Sequence, residues 1–171
     1  MRYLLLFLLF PLSAPCQTVH IVDDNIVYSG KVNLKDIDRH EISMRAKKAL
    51  ATYIKHNDLH YDGDSSITTP GIIILSTPYP VIKKLRYQYT LVTVGNGYRY
   101  NIDNVSIAEK ERGQKWVITP SKDIFKNIEV SGPTAMETER LLNEIDLQFQ
   151  ALLDRIKNDI SNVYPLKKRS Q

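Results

Sequence analysis

The stretch "KLRYQYTLVTVGNGYRYNIDNVSI", residues 84 to 107, constrains this chain more than any other. Two runs that alternate apolar and polar residues flank Asn96-Gly97, a dipeptide whose backbone freedom suits a two-residue hairpin loop. With those two residues as the loop, Thr93 pairs with Tyr100 and Leu91 with Ile102. Leu85, Tyr87, Tyr89, Leu91, Tyr100 and Ile102 then share one face, and Arg86, Gln88, Thr90, Arg99, Asn101 and Asp103 share the other. A ribbon with one apolar and one polar face belongs to an antiparallel sheet that is covered on one side and wet on the other.

The cover comes from two amphipathic helices. In "DRHEISMRAKKALATYIKHN", Asp38 and Glu41 have the spacing of a capping box, and Ile42, Ala46, Ala49, Leu50 and Tyr53 recur at helical intervals, which predicts a helix over 37 to 55. Thr134 and Glu137 open a second helix just after Pro133. There Leu141, Leu142, Ile145, Phe149, Leu152, Leu153, Ile156 and Ile160 trace one apolar stripe. That stripe is wider than a two-stranded coiled-coil seam and suits packing on a sheet.

The remaining strands are shorter signals. "NIVYSGKV" predicts a strand over 25 to 33, preceded by "HIV" and a turn or bulge at Asp23, Asp24 and Asn25. Between Leu59 and Thr77 two strands are expected around "TTPG", with Pro70 and Gly71 supplying a type II turn and "IIIL" a buried strand. The polar segment 108 to 130 is expected to be a connection with one short strand at Trp116 to Ile118.

The order strand, helix, four strands, helix is carried by "IVYSGKVNLKDIDRHEISMRAKKAL", "TTPGIIILS" and "YTLVTVGNGYRYNIDNV". In these features, over roughly 25 to 107 and more loosely in the closing helix, the chain resembles the bacterial family called domain of unknown function 4468. The resemblance implies a TATA-binding-protein-like fold: α+β, an antiparallel sheet with two helices on one face, in the order β-α-β-β-β-β-α. It departs in Ala51-Thr52-Tyr53 and in the insert at 108 to 130. The family brings an architecture and no activity, so no catalytic residue is implied. Nor does a shared fold carry a shared DNA site. A sheet that bends DNA wants apolar wedges among basic residues, and the chain holds only four Phe, so no nucleic-acid partner is expected.

"HNDLHYDGD" places His56, Asp58, His60, Asp62 and Asp64 on alternate positions, the densest set of metal-ligand types in the chain. As a calcium loop from Asp58 it fails where the bidentate Glu belongs, at Thr69, and has a nitrogen donor at its third position. As a zinc site it needs His56 and His60 on one helix face, yet Asn57-Asp58 marks a helix end. The segment reads as a solvated connection, with these five residues as weak metal candidates. No nucleophile-and-base spacing and no phosphate loop is found, so no catalytic residue and no cofactor are assigned. Tyrosines 87, 89, 98 and 100 are expected in the core, and the polar residues Arg86, Gln88, Arg99 and Asn101 form the candidate binding surface.

"MRYLLLFLLFPLSAPCQ" has the order of a signal peptide: one Arg, a short apolar run, then small residues. Two readings of Cys16, the single cysteine, stay open. Ala14 and Cys16 make an A-x-A-like cleavage site that leaves Gln17 first; lipidation of Cys16 fits Pro15 less well. No other segment approaches the roughly 20 apolar residues of a membrane helix. Composition, 43% hydrophobic and 25% charged, suits one globular domain over 25 to 161, after a signal at 1 to 16 and a segment at 17 to 24. The net charge of +4 becomes +3 without Arg2, and part of it lies in the basic tail at 162 to 171. The expectation is an exported, non-enzymatic accessory or binding module of the cell envelope, in the periplasm, on the surface or secreted, acting on an envelope protein or small ligand. The alternative is a small hydrolase or metal-dependent enzyme built on 56 to 64.

Overall fold

The computed structural model describes residues 20–22, 24–54, 59–62, 65–77, 80–125 and 133–162. Seven strands form one antiparallel sheet: β1 (His20–Val22), β2 (Asn25–Asn33), β3 (His60–Asp62), β4 (Ser66–Leu75), β5 (Ile82–Val94), β6 (Gly97–Lys110) and β7 (Val117–Pro120). Their order is β1-β2-β6-β5-β4-β3, with β7 paired to β6. Thus β6 holds β5 along one side, and on the other first β2, against 97 to 102, then β7, against 106 to 109.

Helix α1 (Arg39–Tyr53) begins as its sequence requires, with the Asp38 carboxylate accepting the Glu41 N–H at 2.9 Å. Glu41 turns its own side chain to Arg45 rather than back to the cap. Arg45 in turn donates to the carbonyls of Ile160 and Asn162 at 3.0 and 3.2 Å, the C-terminal end of the closing helix α3 (Pro133–Ser161). A cation from the first helix thereby satisfies carbonyls that the last helix, with no basic residue in its own final turn, leaves open. Pro133 is the first residue of α3, a position where its missing N–H costs nothing, so Thr134 stands inside the helix rather than capping it.

Both helices cover one sheet face. Ile42, Ala46, Ala49 and Leu50 of α1 and Ile145, Phe149, Ile156 and Ile160 of α3 are buried with Tyr28, Leu85, Tyr89, Leu91 and Ile102 of the strands. Phe149 sits at the centre, its ring 5.0 Å from Tyr28 and 5.1 Å from Tyr87, the latter edge-on at 86°. One turn earlier on α3, Asp146 accepts the Tyr28 hydroxyl at 2.9 Å. Burial, then that neighbouring carboxylate, push the Tyr28 phenol far above its ordinary pKa.

Three expectations are corrected. The hairpin loop is Gly95-Asn96, not Asn96-Gly97, so Thr93 pairs with Tyr98 and Leu91 with Tyr100. Gly95 has φ +57° and Asn96 has no positive φ, as a type II′ loop requires, while Gly97 lies in β6 where a Cβ would strike the Val32 carbonyl of β2. The slip is two residues, and the period of a strand is two, so every side chain keeps its predicted face. Second, "TTPG" is not a turn. β4 runs straight through it, the reversal falls between Asp62 and Ser66, and Gly71 stands opposite Tyr87, whose ring fills the space a Cβ would need. Pro70 is tolerated because β3 pairs only with 66 to 68, leaving β4 an edge there among the described residues. Third, "IIIL" is not buried throughout: Ile72 and Ile74 face solvent, and Leu75 is buried. The strand expected near Trp116 exists as β7, and a short helix α2 (Ser121–Phe125) follows it.

A bulge interrupts the β5–β6 pairing. Arg86 pairs with Ser106 but Gln88 with Asp103, so Asn104 and Val105 together oppose Tyr87, and Asn104 takes φ +52°. Before the bulge the even residues Tyr98, Tyr100 and Ile102 point inward; after it Val105 and Ile107 do.

Candidate functional site

With α1 and α3 on one face, the other face of the sheet is open among the described residues, and it carries the polar set expected to form a binding surface. Arg86 and Arg99 are exposed there, and Gln88 and Asn101 half-buried. The structure does not gather these four into one pocket. Arg99 pairs with Val92 and Lys31 at the hairpin end, six residues or roughly 20 Å along β5 from Arg86. Arg86 and Gln88 instead border a shallow depression of about 440 Å³ at the bulge, where Asn104 Nδ2 donates to Gln88 Oε1 at 3.0 Å.

Asn101 serves Asp103. Its Nδ2 donates to Asp103 Oδ2 at 2.6 Å, while Oδ1 is buried without a hydrogen-bond partner. Burial pushes the Asp103 carboxyl above its ordinary pKa, and the Asn101 bond offsets this only in part. Among the described residues the open face presents Lys31, Lys84, Arg86, Arg99 and Lys110 against two carboxylates, Asp62 and Asp103. None of those five cations is ion-paired.

The far end of this face differs in kind. Ile74, Lys84, Ala108 and Ile118 stand side by side across four strands, flanked by the pair Ile82 and Lys110 and by Trp116, which enters β7. Lys84 Nζ lies 4.5 Å and Lys110 Nζ 5.9 Å from the Trp116 ring centre, so two ammonium groups lie over the indole. Ile74, Ile82, Trp116 and Ile118 are between 40% and 70% exposed, while Val117, also exposed, alternates to the other face with Glu109. Sequence reasoning missed this cluster because its members come from the ends of four strands, and no local pattern links them.

Of the metal candidates, His60 and Asp62 lie exposed on β3, two residues apart. His56, Asp58 and Asp64 fall outside the described residues. A second depression, of about 700 Å³, runs between the end of β4 and the first half of α3. Its Glu144 accepts the Ser76 backbone N–H at 2.9 Å, its Lys83 is paired to Glu109 at 3.0 Å, and Thr77 donates its hydroxyl to the Val81 carbonyl. No histidine lines it, and neither of its hydroxyls is hydrogen-bonded to a carboxylate. The tyrosine stripe offers no stacking platform: Tyr87, Tyr89, Tyr98 and Tyr100 are in the core as expected. No described helix is long and apolar enough to cross a membrane.

No family model and no curated protein matches the chain. Solved structures similar to the chain include two of bacterial origin. A TBP-like protein from Parabacteroides distasonis superposes with a TM-score of 0.63 at 14% identity, covering 82% of this chain and 97% of that one. A DUF4468 family protein from Bacteroides ovatus gives 0.59 at 12% identity, covering 84% and 91%. At such identities the likeness concerns the backbone, and its reach over nearly the whole of both relatives includes the sheet and the helices alike. The chain therefore has the TATA-binding-protein-like α+β fold that its sequence resembles.

Proposed function

We propose that this chain is an exported, non-enzymatic accessory or binding module of the cell envelope, and that its working surface is the open face of the sheet. One observation carries the reading: a sheet face left uncovered by the described helices ends in four exposed large apolar side chains, Ile74, Ile82, Trp116 and Ile118, beside unpaired cations. A solvent face with no partner has no use for that cluster, since contiguous exposed apolar surface favours association. In neither depression is a hydroxyl hydrogen-bonded to a carboxylate or a histidine, which supports binding over catalysis. Export follows from the signal-like order of residues 1 to 16. A photoreactive side chain at position 118 is expected to form a reproducible adduct, with protein or lipid, in living host cells. The same group at Thr52, exposed on α1, forms none. Equal labelling from both positions overturns the reading.

A further inference from the structure

The apolar residues at the end of the open face all lie at one end of the sheet. β4 and β6 finish there, β5 and β7 start there, and the register sets Ile74, Lys84, Ala108 and Ile118 in one row with Ile82 and Lys110 in the next. Ala108 is buried although it lies on the open side, beside the Trp116 indole and its two lysines. Lys84, Arg86, Lys110 and the nearby Lys115 pair with no carboxylate among the described residues; Glu111, on the same loop as Lys115, accepts a hydrogen bond from Gln114.

We propose that this end of the sheet docks onto an anionic lipid bilayer, with Ile74, Ile82, Trp116 and Ile118 entering the headgroup boundary and Lys84, Arg86 and Lys110 meeting the lipid charge. The proposal deepens the reading of the open face as the working surface and rests on it. Three features select a bilayer over a peptide. A protein partner's affinity concentrates in side chains seated in well-packed pockets, and none of the four apolar residues lines either depression. Tryptophan beside lysine is the pairing that suits a membrane interface, the ring at headgroup level and the ammonium reaching to charge. The cations have no counter-charge of their own, so an anionic surface supplies what the fold omits.

Trp116 is the only tryptophan in the chain, so its emission reports the patch alone. Vesicles of phosphatidylcholine with a quarter phosphatidylglycerol are expected to shift that emission to the blue, and bromine-labelled acyl chains to quench it. Each ammonium near such a surface contributes about fivefold in partitioning, so Lys84→Gln with Lys110→Gln should weaken binding about 30-fold by sedimentation. Added salt should weaken the native chain likewise. Ile118→Asp, at a half-exposed position and with its fold checked by circular dichroism, should remove the blue shift, whereas Arg99→Gln at the hairpin end should leave it intact. Absence of quenching by anionic vesicles overturns the proposal, as does equal partitioning onto pure phosphatidylcholine. If vesicles are ignored while position 118 still labels a protein in cells, the module stands and the bilayer falls; if neither occurs, both fall.

Discussion

Replacing Phe149 with alanine tests the packing on which this fold depends. The side chain is wholly buried and touches two tyrosine rings from separate strands, at 5.0 and 5.1 Å, so it joins α3 to both β2 and β5. Emptying a Phe site costs about 3 to 5 kcal/mol, and each aromatic pair is worth about 0.5 to 1.5 kcal/mol beyond its area. Two such pairs place Phe149→Ala toward the upper end, about 4 to 5 kcal/mol. At about 2 to 4 °C per kcal/mol for a domain of this size, the thermal midpoint should fall by roughly 8 to 20 °C. Phe149→Leu keeps most of the apolar volume and loses only the ring pairs, so about 1 to 2 kcal/mol is expected. Leu147→Ala, on the exposed side of the same helix, should stay within about 0.5 kcal/mol. Urea unfolding followed by circular dichroism measures all three. A loss below about 1 kcal/mol for Phe149→Ala would refute the reasoning, because a helix anchored through that ring cannot give it up so cheaply.

Gly71→Ala should destabilise by about 1 to 3 kcal/mol, because its Cβ meets the Tyr87 ring, and the double variant Gly71→Ala, Tyr87→Leu should cost less than the sum of its parts. Asp103→Asn should raise stability at neutral pH. The raised folded-state pKa means the unfolded chain releases its proton first, so the native chain loses stability as pH climbs from 3.8 through that raised value, and the gain from Asn should fade as pH is lowered through the same window; a gain independent of pH would refute the assignment. Millimolar calcium or micromolar zinc should leave the midpoint unchanged, whereas a ligand at 100 times its Kd would add about 2.7 kcal/mol; a rise that vanishes in Asp58→Ala, Asp62→Ala would show that the segment from 56 to 64 holds metal.

What could be read from the sequence follows the range of the forces involved. The alternation in Tyr87, Tyr89 and Leu91 and the stripe from Leu141 to Ile160 are local, and both reappear as the two sides of one core. The hairpin loop was not decidable locally. Gly95-Asn96 and Asn96-Gly97 both have turn chemistry, and the choice falls to β2, a strand more than 60 residues earlier, whose Val32 carbonyl needs Gly97 in the strand. Pro70-Gly71 misleads for a related reason: the proline has an edge available and the glycine a tyrosine to accommodate, neither visible without the neighbouring strands. The Trp116 cluster is the extreme case, because exposure of an apolar residue is a property of what fails to cover it.

The bulge at Asn104 has a consequence for how this chain can vary. Side chains before and after it obey opposite parity, so a single residue decides which half of the following sequence is inside. Were Asn104 to take an ordinary place in the ladder, Val105 and Ile107 would turn to water and Ala108 and Lys110 toward the helices, whereas removing it together with the bulge would leave all four facing as they do. The loop 111 to 116, a few positions on, can lengthen at the cost of closure entropy alone, about 0.6 kcal/mol per doubling. Homologues built on this sheet should therefore differ freely in the length of that loop, yet gain or lose a residue in β6 only where a bulge appears or disappears with it, as a reading frame is restored by a second shift.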